Sequence, residues 1–196
     1  MSGPGFIPGA GRPPADGVIR SDRLDLVPLT PAVIDAILRR DAAATARLLG
    51  VETAVEWPGD RAILDMRLAQ MLAEPALEPF LLRAIVHRER GEAIGHIGFH
   101  GAPDAPNLLE IGLRGLELGY TVFEPHRRAG YATEAVHALM SWAHTVHGIS
   151  DFVLSIAPGN VPSLRIAHRL GFAYHSVHMD PVDGEEHVYA GRFPRA

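Results

Sequence analysis

Tyr120-Thr121-Val122-Phe123-Glu124-Pro125-His126-Arg127-Arg128-Ala129-Gly130-Tyr131-Ala132-Thr133-Glu134-Ala135-Val136 is the stretch that decides the fold. It begins as a short apolar strand, breaks at a proline-bearing turn and ends as a strong helix start. Such a turn leaves several backbone N–H groups unpaired at a helix N-terminus, where the macrodipole is positive, so it suits a phosphate or pyrophosphate. Gly130 lets the backbone come close to an anion, and Ala132 keeps the first helical turn free of bulk. Arg127 and Arg128 add positive charge of the kind that binds phosphate well. The same residues also fit an ordinary strand–turn–helix whose arginines face water.

A second unit of the same design lies about thirty residues on. Phe152 to Ile156 has a buried-strand pattern and runs into Ala157-Pro158-Gly159-Asn160-Val161-Pro162-Ser163. A helix is predicted from Leu164 to Leu170, with Gly171 placed to close it. Taken alone, Asn160 reads as a turn residue and Ser163 as a helix N-cap.

Arg127-x-x-Gly130-x-Ala132 resembles the acyl-CoA-binding loop of the GNAT N-acetyltransferase superfamily. Gly130 to Ala135, with Asn160-x-x-Ser163 and Arg169-Leu170-Gly171-Phe172, resembles its branch of ribosomal-protein N-terminal acetyltransferases, the RimJ/RimL-like group. The resemblance extends from about Ser21 to Phe193 and is motif-specific from Glu117 to Phe172. Rival nucleotide motifs fit worse: there is no G-x-G-x-x-G after a strand, and a chain without lysine has no G-x-x-x-x-G-K-[ST].

The resemblance implies acetyl-CoA as co-substrate, bound by Thr121, Val122, Phe123, Arg127, Arg128, Ala129, Gly130, Tyr131, Ala132, Thr133, Asn160 and Ser163. It also implies that the strands ending at Phe123 and Ile156 splay apart to take the pantetheine arm. Acetyl transfer to an amine needs a base, a donor for the oxyanion and help for the departing thiolate. Glu117, in the segment Glu117-Leu118-Gly119-Tyr120, is the candidate base, with Glu110 or a water as the alternative. A main-chain N–H between Thr121 and Phe123 is the candidate oxyanion donor. Asn160 would bond the pantetheine amides or orient the amine. Where many members carry a tyrosine acid this chain has Ala167, so Ser163 becomes the residue expected at the sulfur. Glu134, in the first turn of the helix, is read mainly as dipole-complementing and structural.

The 196 residues, 47% hydrophobic and 21% charged, fit one globular domain. With no cysteine, a cysteine acyl-enzyme, disulfides and thiolate metal sites are excluded. A net charge of −5 argues against nucleic acid as the main partner and suits a cationic amine. No run approaches the length of a membrane span and no signal peptide is recognised, so a cytoplasmic location is expected. Eleven histidines show no zinc-type spacing, so no metal is expected. The acceptor is left as a protein N-terminus, a polyamine or an aminoglycoside-like amine, and homodimer formation is left open. A binding module without turnover is the rival function.

Residues 1–17 read as a flexible Gly/Pro-rich arm and 18–196 as the domain. Leu24 to Leu29 reads as a first strand. Helices follow at Thr30–Arg39, Asp41–Leu49 and about Gly59–Leu72, forming the amine-side wall. Strands are predicted at Leu81–Val86, Ala93–Phe99, Glu110–Leu113 and Leu116–Phe123. After the two strand–turn–helix units comes a hairpin, Tyr174–Met179 with His187–Phe193, turning near Asp183-Gly184. The layout is α+β around one mixed sheet.

Overall fold

In a computed structural model that describes residues 17–52, 57–58, 61–180 and 184–194, β5 (Leu116–Val122) and β6 (Asp151–Ile156) run side by side and parallel. Only Leu116 with Phe152 and Glu117 with Val153 stay in register. Past Glu117, β5 pairs with β4 (Glu92–Phe99) and β6 with β8 (Gly184–Arg192), so the two parallel strands part into a V. Gly115 holds the closed end: its φ is +95°, and a Cβ there would collide with the Asp151 carbonyl. The splay expected from the resemblance is therefore present, at the strands expected.

β1 (Ile19–Arg20), β2 (Leu24–Pro28), β3 (Arg83–His87) and β7 (Ala173–Asp180) complete the described sheet. Its order is β1-β2-β3-β4-β5-β6-β8-β7, antiparallel except at β5–β6. One face is covered by α5 (Tyr131–His147), which packs Ala135, Val136, Leu139, Met140 and Ala143 against Leu24, Leu26, Ile97, Phe99, Leu118 and Phe152. The other face is covered by α1 (Pro31–Leu38), α2 (Ala42–Leu49) and α3 (Arg61–Ala73), through Val33, Ile34, Leu49, Leu64 and Met71. Helices on both faces of a mixed sheet bury apolar stripes that neither layer could hide alone.

Local chemistry sets the helix ends. The Thr30 hydroxyl accepts from the Val33 N–H ahead of Pro31, and Asp41 accepts from Ala44 N–H, starting α1 and α2 as the sequence predicts. Gly50, Gly148 and Gly171 adopt the left-handed conformation that closes α2, α5 and α6 (Val161–Leu170).

One predicted strand is wrong. Glu110–Leu113 is not a strand: Pro106–Glu110 forms a short helix, α4, started by Pro106 and followed by a turn at Gly112 with φ +76°. Leu108 is its buried residue and packs on Val153 and Val188, while Glu110 is exposed. An apolar alternation too short to define a period was overruled by the proline and by one anchoring leucine. The last hairpin and α3 form as predicted, but the turn at Val182–Asp183, the start near Gly59 and the arm through Asp16 lie outside the described residues.

Candidate active site

The loop between β5 and α5 reaches the helix without a side-chain cap. A short 3-10 turn at Glu124–His126 leads to Arg128 and Gly130, both left-handed with φ of 66° and 83°. No side chain among the described residues caps α5, so the N–H groups of its first turn point outward beside the positive dipole end. They face a groove of about 870 Å³ lined by Tyr120, Thr121, Val122, Arg127, Arg128, Gly130, Tyr131, Ala132, Thr133, Asn160 and Ser163. Arg165 and Arg169 of α6 join the lining, which brings four arginines to one groove. They were not read from the sequence as site residues, although their i,i+4 spacing puts them on one helix face.

Two residues assigned to the donor site from the sequence do not line this groove. Phe123 is buried, and its ring stands edge-on to Trp57 and His96 on the other side of the sheet. Ala129 turns its carbonyl to Arg23 Nη1 at 3.1 Å. Arg127 sends Nε to the Val122 carbonyl at 2.9 Å and thereby braces the loop it belongs to. Glu134 accepts from the Ser21 hydroxyl at 2.7 Å and from the Arg23 N–H and Nε at 2.8 and 2.7 Å. Arg23 also lies over the Tyr131 ring at 4.6 Å. The first turn of α5 is thus tied to the β1–β2 connection, and Glu134 is structural as read.

At α6 it is Asn160 that caps the helix: its Oδ1 accepts from the Ser163 N–H at 3.2 Å. Ser163 is not the cap; it stands in the first turn and keeps its hydroxyl for the groove. The Tyr120 hydroxyl is buried beside it. Burial pushes the Tyr120 phenol up, and the Ser163 hydroxyl acts in the opposite sense, though no hydrogen bond of ordinary geometry forms among the described residues.

A second cavity, about 500 Å³, opens on the α3 side of the sheet and also reaches Tyr120 and Thr121. Tyr120 and Thr121, past the last registered pair of the V, line both spaces. Glu117, at the last registered pair, turns into this second cavity. Its carboxylate accepts from Ser155 Oγ at 2.6 Å and from Asn107 Nδ2 at 3.4 Å, with His100 Nδ1 at 3.5 Å. Burial alone would raise the Glu117 carboxyl; the His100 bond and charge, with the Ser155 and Asn107 bonds, outweigh it and hold the group below its ordinary value. His96 also lines the cavity, stacked on Trp57, and burial lowers its imidazole to about 4, so it is neutral at physiological pH. Glu110, the alternative base, does not line it. Among the described residues no group of three or more histidines and carboxylates is arranged to hold a metal.

A groove suited to an anion, sharing two lining residues with a cavity that holds an ionised carboxylate, fits a transferase that brings a phosphate-bearing donor to a second substrate. The family model for the acetyltransferase (GNAT) domain matches residues 23–173. The uncharacterized N-acetyltransferase YjdG of Bacillus subtilis (strain 168) is 29% identical over 158 residues, 79% of this chain and 89% of that protein. An acetyltransferase from Agrobacterium tumefaciens str. C58 superposes with a TM-score of 0.55 at 26% identity, over 89% of this chain and 93% of that one. The ribosomal-protein-S5-alanine acetyltransferase from Vibrio fischeri shares the fold, with a TM-score of 0.62 at 13% identity over 90% and 97% of the two chains. The chain belongs to the GNAT acetyltransferase family. It is an acetyl-CoA-dependent N-acetyltransferase with one mixed-sheet α+β domain. No helix among the described residues is long and apolar enough to cross a membrane.

Proposed function

We propose that acetyl-CoA lies in the arginine-lined groove and that a primary amine attacks it from the Glu117 cavity in a ternary complex. The observation that carries this reading is that Tyr120 and Thr121 line both spaces. The pyrophosphate sits on the N–H groups of Tyr131, Ala132 and Thr133, with Arg128 at the loop and Arg165 and Arg169 alongside. The pantetheine arm enters the V and bonds strand edges left unpaired past Glu117. Because the Phe123 N–H is taken by the Ile94 carbonyl, strand alternation turns the Val122 N–H toward the gap, where it serves the thioester oxygen.

Glu117 receives the proton of the attacking ammonium, directly or through a water. The freed nitrogen forms the C–N bond and the C–S bond breaks. The sulfur leaves as a thiolate held by the Ser163 hydroxyl, or takes its proton. With a carboxyl held below its ordinary value, Glu117 is a weak base that is always ionised near neutrality, so its first task is to collect the ammonium form. We further assign the chain to the RimJ/RimL-like branch, on the Gly130–Ala135 and Asn160–Phe172 motifs, with residues 18–196 as the catalytic domain. Reliance on acetyl-CoA and a cysteine-free composition support a cytoplasmic site of action. The exposed edge of β7 supports association as a homodimer. Free-CoA release on a panel of amines, for the parent and Glu117→Gln, tests the proposal. Turnover that survives the substitution within a few fold would remove Glu117 from the mechanism.

A further inference from the structure

α3 turns Leu64, Arg67 and Met71 toward the interior. Leu64 and Met71 join the core, but Arg67, only 6% exposed, occupies a position on that stripe where an apolar residue would ordinarily pack. A buried guanidinium is costly unless its donors and charge are met. Among the described residues, every hydrogen bond that Arg67 forms runs from one nitrogen: Nη1 donates to Gln70 Oε1 and to the His100 carbonyl, both at 2.7 Å. Among the described residues its Nε is buried without a partner and no carboxylate forms an ion pair with it. Arg83, the other buried arginine, also leaves its Nε without a partner but engages both terminal nitrogens. It places Nη1 on the Gly17 carbonyl, Nη2 on the Pro79 carbonyl and its plane over Trp142.

Arg67 also stands in the wall of the acceptor cavity, with Gln70 and Met66 beside it. Glu117 is the opposite charge that it feels there, and Asp180 and Glu186 line the same space from the last hairpin. The cavity therefore offers the Glu117 carboxylate to a cation and one guanidinium, incompletely bonded, to an anion. We propose that Arg67 recognises a carboxylate carried by the acceptor, so that the substrate is a primary amine that is also an acid, its ammonium toward Glu117 and its anion toward Arg67. This rests on the acetyl-transfer reading above. A planar guanidinium fork matches a carboxylate, and desolvation in this wall strengthens the contact.

The carboxylate can come from a free amino acid or from an acidic side chain next to a peptide N-terminus, and matched pairs separate the two. One arm compares free L-amino acids with their carboxamides. The other compares amide-capped peptides beginning with Asp or Glu with those beginning with Asn or Gln. In one arm kcat/KM for the acid should exceed that for the amide about 10- to 100-fold, the size of a charge-assisted hydrogen bond. Arg67→Met should erase that ratio by bringing kcat/KM for the acid down to that for the amide, while KM for acetyl-CoA stays in place; Arg67→Lys should keep part of it. Equal rates for acid and amide in the parent protein would overturn the proposal, whether or not the variants fold. So would an Arg67→Met protein that loses both substrates alike, because Arg67 would then only clamp α3 to the His100 carbonyl. CoA release with none of these amines would overturn the inference together with the reading beneath it.

Discussion

The Glu117 carboxylate sits among donors drawn from β6, α4 and the end of β4: Ser155, Asn107 and His100. Glu117→Gln keeps these positions and removes the charge, so single-turnover acetylation should fall about 10²–10⁴-fold, the usual size of acid–base catalysis, with acetyl-CoA affinity unchanged. The pH dependence follows from the same contacts. A folded value below the ordinary one means that the stability Glu117 contributes is complete above the unfolded-state pKa, about 4.3, and is lost as pH falls through the folded value. The acidic limb of kcat/KM should lie in that same low range. His100→Ala removes a bond and a charge that lower the carboxyl, so the limb should move upward; a profile unmoved by it would exclude His100 from setting the base. Ser163→Ala separates two other roles. Asn160 is the cap, so its replacement by Ala should cost about 1 kcal/mol of stability, whereas Ser163→Ala should slow the chemical step and leave melting nearly unchanged. Glu117 was legible in the sequence because it lies in the same strand as the donor loop. Its partner Ser155 was not, being 38 residues away on a strand whose register no local pattern reveals.

At the scale of elements, the two strand–turn–helix units were readable because each is decided locally, by a strand, a turn residue and a capping glycine or asparagine. α4 was misread because five residues carry too little periodicity to oppose a proline. The donor loop depends on Gly130 at φ 83°. A Cβ there would meet nothing closer than Arg23 Nη2 at 3.5 Å, so the penalty of Gly130→Val lies in the backbone conformation, not in a clash. The variant should keep the sheet and α5 packing yet redirect the loop away from an anion. Acetyl-CoA, bound by the native state alone, should raise the melting temperature of the parent and not of the variant. Equal shifts in both proteins would take the pyrophosphate away from this loop. α3 is where sequence gives least guidance: its C-terminal end follows from pattern, but that Arg67 on its buried stripe joins the Glu117 wall depends on how three helices pack across the sheet.

The whole sheet ends on β7, an eight-residue edge strand exposed on both faces. Tyr174, Val177 and Met179 are 55%, 50% and 64% exposed, and Asp180 is the one formally charged side chain on the strand. A long edge with apolar side chains and little charge is open to strand pairing, and a second copy of the same strand, run antiparallel about a two-fold axis, offers a self-complementary partner. His178 and Asp180 of this strand also line the acceptor cavity, so pairing would border the amine's entrance and leave the donor groove untouched. Light scattering across a dilution series should therefore show a dimer that dissociates, and the apparent KM for the amine should change over the same concentrations while that for acetyl-CoA stays constant. Val177→Lys with Met179→Lys places like charges on the edge and should give a monomer at every concentration, with melting close to the parent because neither residue belongs to the core. A parent protein that is monomeric throughout the series would show that the β7 edge is tolerated in water, and the association assigned to it would fall.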